Sequence, residues 1–144
     1  MMKFNSKKTK LIILFLLYFI NFSFFQKKEL DSRIVGKWTN IFAKDVHGEI
    51  IKDDFYKKGY VDTFLKNGQH LIDPNFLRDD LKRNGIKEPL DYSLIPTFSW
   101  RTFNDQILEI SGSGETQQIR YGFSGDTLLL GYSNGNTRYL IKRK

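Results

Sequence analysis

Ile34-Val35-Gly36-Lys37-Trp38-Thr39-Asn40 places a glycine two residues ahead of a tryptophan, after a charged lead-in. Gly36 lets the chain turn where a Cβ would clash. Trp38 then supplies a large apolar plate at the first strand position. Everything downstream carries β patterning. With 13 Phe and 7 Tyr the chain is 15 % aromatic, a composition that suits the pleated surface of strands.

Strands are expected at 37–44, 60–65, 70–72, 97–103, 106–111, 116–124, 127–132 and 137–143. In the first, Trp38, Asn40 and Phe42 should share one face. The clearest alternation sets Gln117, Ile119, Tyr121 and Phe123 on one face, with Gln118, Arg120, Gly122 and Ser124 on the other. Asn67-Gly68 signals a type I′ hairpin, and further turns fall at Asn104-Asp105, Gly112–Gly114, Gly125-Asp126 and Ser133–Asn136. The pattern breaks at Asp73-Pro74, where an N-cap followed by proline at the first helical position, Phe76, Leu77 and Leu81, and a stop at Gly85 predict a short helix over 74–84. The stretch 45–59 reads as a polar connection with a short strand at 49–51. The fold class is therefore all-β: a small eight-stranded antiparallel up-and-down barrel with one short helical insertion, behind an N-terminal hydrophobic leader helix.

Three divisions follow: a leader at 1–25, a charged connector at 26–33 with room for one helical turn, and the barrel domain at 34–144. Lys3, Lys7, Lys8 and Lys10 precede the apolar run Leu11–Phe25, interrupted by Asn21 and Ser23. As a helix this run spans about 22 Å, short for a bilayer core of about 30 Å and suited to a signal peptide. Two fates stay open, cleavage leaving Gln26 as the first mature residue, or retention as a membrane anchor through 11–25. Either places the domain in the periplasm or outer envelope. The net charge of +7 falls to +3 once the four leader lysines are set aside, which argues against a nucleic-acid partner. The absence of Cys excludes disulfides, thiol nucleophiles, thiolate-bound metal and an N-terminal lipid-modified cysteine.

No catalytic residue or cofactor is expected. His47 and His70 lack metal-ligand spacing and read as surface histidines. Asp53-Asp54 and Asp79-Asp80 cannot converge as adjacent residues and read as solvated charge. Ser111–Gly114 lacks the order of a nucleophile elbow or a phosphate loop.

Gly36-x-Trp38 on the first strand, the up-and-down strand order and a basic final strand together resemble the lipocalin-like (calycin) barrels of exported bacterial proteins, over residues 34–144. The helical insertion between the third and fourth expected strands departs from that family, as does the short mature chain. The resemblance implies that Gly36 and Trp38 close one end of the barrel, with Arg143 across the indole as first choice and Arg138 as second. It also implies a non-enzymatic binder of a small hydrophobic ligand, with Tyr60, Phe98, Trp100, Tyr121, Phe123 and Leu130 lining the lumen. The alternative is a structural or protein-interaction module of the envelope with no ligand cavity, using the helical insertion as its contact surface.

Overall fold

The computed structural model describes residues 28–104 and 106–144. The leader at 1–25 lies outside the described residues. The chain forms β1 (Lys28–Glu29), β2 (Gly36–Lys44), a single turn α1 (Asp54–Lys57), β3 (Val61–Phe64), β4 (Gln69–Leu71), α2 (Pro74–Arg83), a 3₁₀ turn (Tyr92–Leu94), β5 (Phe98–Phe103), β6 (Ile107–Gly112), β7 (Glu115–Ser124), β8 (Thr127–Gly131) and β9 (Thr137–Lys142).

From β2 to β9 every strand pairs antiparallel with its sequence neighbour. Pairing of β9 with β2 then closes an eight-stranded barrel. Closure leaves these eight strands without a free edge. The added strand β1 lies beside the far end of β5, with Lys28 opposite Phe103 and Glu29 opposite Thr102. The stretch expected as a charged connector is thus tied to the barrel from Lys28 onward. Thr102 Oγ1 donates to the Glu29 carbonyl and accepts from the Asp31 amide.

The interior follows the two-residue period. Phe64, Leu108, Ile119, Leu128, Leu130 and Leu140 are fully enclosed, packed with Ile34, Trp38, Trp100 and Tyr121. One expectation fails at β2. Its register against β9 shifts between Asn40 and Phe42, so Trp38, Asn40 and Ala43 are buried while Ile41 is exposed. A bulge sets two residues against one and reverses the parity beyond it. Phe42 is half-buried, stacked on Tyr139 at 4.5 Å.

The turns also redistribute. At 65–69 only Gly68 has positive φ, and the Leu65 carbonyl accepts from the Gly68 amide. This is a type I turn with a glycine bulge, not type I′. The mirror-image turn sits at Ser113-Gly114, where φ is +53° and +78°. The helix matches its sequence signals: Asp73 Oδ1 accepts from the Asn75 amide, Pro74 opens α2, and Gly85 follows at φ +73°.

One barrel end is plugged. Trp38 Nε1 donates to the Ile34 carbonyl at 2.6 Å, and Ile34 is fully enclosed. Gly36 stands at φ +135°, where an added Cβ would come within 2.9 Å of Lys142 Cε. Lys142, not Arg143, lies over the indole, its Nζ 5.3 Å from the ring centroid. Lys142 is the cross-strand partner of Trp38 and shares its face, whereas Arg143 donates to Thr39 Oγ1. Arg138 is remote from the plug and belongs to the lumen described below.

Asp31 straps this end. Its carboxylate accepts from the Arg33 amide and guanidinium and from Tyr121 Oη at 2.9 Å. The Arg33 hydrogen bond outweighs burial and lowers its pKa to about 2.

Two outcomes follow. Gly36→Ala should lose about 1–3 kcal/mol of unfolding free energy in chemical denaturation, through backbone strain and displacement of Lys142. For Asp31→Asn the depressed folded pKa sets the sign. The wild-type carboxylate stabilises fully above pH about 4, its unfolded value, and loses that contribution as pH falls to about 2. The stability gap between the two proteins, measured by urea unfolding, should be widest near neutrality and close towards pH about 2.

Candidate lumen binding site

The other end of the barrel is open and holds a cavity of about 270 Å³. Its apolar wall comes from Phe64, Phe98, Ile110, Ile119 and Leu130, with Tyr60 and Phe76 at the rim. Phe98 packs over Gly112, where any Cβ would collide with the ring. A residue read from sequence as part of a turn is therefore the small position that lets an aromatic enter the wall.

Of the six residues expected to line the lumen, Tyr60, Phe98 and Leu130 border the cavity. The other three do not. Trp100 is buried edge-on against Phe64 at 5.5 Å, its Nε1 bonded to the Leu65 carbonyl, and fills core beside the cavity. Tyr121 and Phe123 lie at the plugged end, where Phe123 packs 6.2 Å from Trp38 beneath the Arg33 guanidinium. Their parity is inward, but β7 carries them to the sealed end.

The cavity has a polar side. Arg138 enters the lumen from β9 and makes three bonds. Its Nε donates to Asn40 Oδ1 at 3.0 Å, Nη1 to Tyr132 Oη at 3.0 Å, and Nη2 to Asp62 Oδ2 at 2.8 Å. His70 Nε2 meets the other Asp62 oxygen at 3.0 Å. Burial by itself would raise the Asp62 carboxyl, but His70 and Arg138 outweigh it and hold it below the ordinary range. Burial likewise opposes the Arg138 charge, and Asp62 more than restores it. Burial pushes the Tyr132 hydroxyl up. The network is a largely buried ion pair with its hydrogen bonds mostly filled.

His70 is therefore not a surface histidine. It is 6 % exposed, stacked on Phe64 at 4.6 Å and edge-on to Phe98 at 6.3 Å. Its Nδ1 is the one buried side-chain nitrogen or oxygen among the described residues with no hydrogen-bond partner. His47 lies exposed in its turn, its amide donating to Asp45.

Helix α2 crosses the rim. Phe76 packs edge-on against Tyr60 at 5.6 Å, and Tyr60 Oη donates to Asp79 Oδ2 at 2.5 Å. Asp79 also receives Lys58 Nζ at 3.0 Å. The Tyr60 hydroxyl first, then Lys58, lowers the Asp79 pKa. Asp79, read as solvated charge, is the latch that ties the insertion to the barrel. Asp53 faces Arg83 at 3.8 Å. Outside the barrel a larger, open groove of about 1100 Å³ runs between α2 and the outer face of β3 and β4.

Among the described residues no three metal-ligating side chains cluster, and no helix is long and apolar enough to cross a membrane. Comparison of the chain with protein-family models, curated proteins and solved structures finds no match.

Asp62, His70, Tyr132 and Arg138 were missed as lumen residues, although the alternation held the signal. Tyr60, Asp62 and Phe64 share a parity, as do Arg138 and Leu140.

Removing Arg138 strands the Asp62 carboxylate. Arg138→Met should cost about 2–4 kcal/mol in urea unfolding, a value reduced for the partial exposure of the pair. Adding Asp62→Leu should recover a large part of that loss in a double-mutant cycle.

Proposed function

We propose that this is a lipocalin-like, non-enzymatic domain that holds a small, largely hydrophobic molecule in its barrel lumen. The observation that carries the reading is the cavity of about 270 Å³, walled by Phe64, Phe98, Ile110, Ile119 and Leu130 inside a closed barrel and open at one rim. Ligand pockets typically begin at roughly 300 Å³, so the occupant is small. The family assignment rests on Gly36-x-Trp38 at the closed end, with a cation from the final strand over the indole. Export to the periplasm or outer envelope is part of the proposal and rests on the Lys3–Lys10 and Leu11–Phe25 pattern.

A protein-interaction role for the same domain is favoured by one feature. The excursion that holds α2 and the 3₁₀ turn leaves Tyr92 60 % and Leu94 76 % exposed. In-cell crosslinking of the Tyr92→Ser, Leu94→Ser double variant decides it. Loss of a crosslinked partner with lumen binding intact supports the role, and an unchanged pattern counts against it.

The lumen reading is tested by calorimetric titration with octanol. Binding should carry a negative heat-capacity change from apolar burial. Ile110→Trp, which fills the cavity from its wall, should weaken binding at least about ten-fold while circular dichroism shows the barrel retained. Equal binding by this variant would place the ligand elsewhere.

A further inference from the structure

Asp62 fixes the tautomer of a neutral His70. Its carboxylate takes Arg138 on Oδ2 and His70 on Oδ1. A carboxylate paired with a guanidinium is ionised and can only accept, so the His70 nitrogen facing it must be the one that bears the proton. In the neutral imidazole this leaves Nδ1 as a lone pair. That atom is buried, and no group among the described residues hydrogen-bonds it. A buried acceptor without a donor costs free energy, and wherever one persists it asks for an explanation.

The surroundings narrow the explanation. His70, Phe64 and Phe98, the two rings packed on its imidazole, all border the same cavity. The positive charge there is already committed, because Arg138 is bound to Asn40, Tyr132 and Asp62. An incoming carboxylate would meet a lone pair and the Asp62 charge. A hydroxyl or amide N–H could instead pair with this acceptor, the one buried side-chain nitrogen or oxygen left without a partner among the described residues.

We infer that His70 Nδ1 reads the head group of the lumen ligand, selecting a small amphipathic molecule whose apolar part lies among Phe98, Ile110, Ile119 and Leu130 and whose polar end is a neutral hydrogen-bond donor. This rests on the lumen-binding reading above and adds the chemical class of the occupant. His70 is here a specificity-determining residue, and no bond is made or broken.

The test compares three probes of one chain length by titration calorimetry: octanol, its methyl ether and octanoate. Octanol should bind about ten-fold or more tightly than the ether, which keeps the tail and lacks the donor. His70→Gln keeps an amide nitrogen to donate to Asp62 and removes the Nδ1 acceptor. In this variant octanol should fall to the level of the ether, and the ether should bind as before. The ranking in the unaltered protein stands by itself if the variant fails to fold. Equal binding of octanol and ether, or tighter binding of octanoate, overturns the inference and leaves lumen binding intact. Failure of all three probes to bind overturns the lumen reading itself.

Discussion

The ladder between β2 and β9 is the constraint from which the rest of the molecule follows. It joins the first long strand to the last and turns an eight-strand meander into a closed surface. Without it both strands would be open edges, liable to pair with other chains. The bulge at Ile41 lies within this ladder. It lets Trp38 and Asn40 face inward at one end of β2 and Ala43 at the other. A strict alternation would have put the half-buried Phe42 where the small Ala43 now sits.

Closure creates an inside that has to be filled, and the two ends are filled differently. The sealed end uses aliphatic and aromatic side chains with their few polar atoms satisfied locally. Trp38 bonds the Ile34 carbonyl, and Tyr121 bonds Asp31. The open end carries a guanidinium, a carboxylate and an imidazole in one connected set. Apolar residues of similar volume could stabilise that region as well or better, because desolvating an ion pair offsets much of its attraction. A polar network there does something an apolar filling cannot: it leaves a cavity with a defined direction, apolar on one wall and hydrogen-bonding on the other.

Much of this architecture was legible in the sequence because its determinants are local. Asp73-Pro74 and Gly85 bracket α2 by capping chemistry that needs no tertiary partner. Strands β5 to β9 are set by alternation and by Gly- or Asn-bearing turns. What was not legible depends on pairing between distant segments. A bulge exists only relative to the strand opposite. The two residues of β1 become a strand only because β5 offers its far end. The cation over Trp38 lay within reach of sequence reasoning: Lys142 shares parity with the enclosed Leu140, and Arg143 does not. For the lumen, aromatic character was weighted above position along the strand. Tyr121 and Phe123 fall at the sealed end, and Arg138, expected as second choice over the indole, instead pairs with Asp62 inside the lumen.

The insertion between β4 and β5 completes the argument about access. It leaves and re-enters the barrel where β4 and β5 share only two residue pairs, as few as the β3–β4 seam beside it. A closed barrel with long strands on every side would admit a ligand only along its axis. Here the short β4 lets the chain depart, and α2 returns across the rim held by Phe76 on Tyr60 and by Asp79 on the Tyr60 hydroxyl. α2 has no fully buried residue. Its attachment runs through edge contacts such as Phe76 on Tyr60, Asp79 with the Tyr60 hydroxyl and Lys58, and Arg83 facing Asp53, against the continuous ladders that hold the strands. Elements with little buried apolar area open locally at lower free energy than the core. A two-pair seam and a helix with no buried residue thus coincide at the mouth of the lumen cavity. Local opening of α2 there would give the occupant proposed for the lumen a way in.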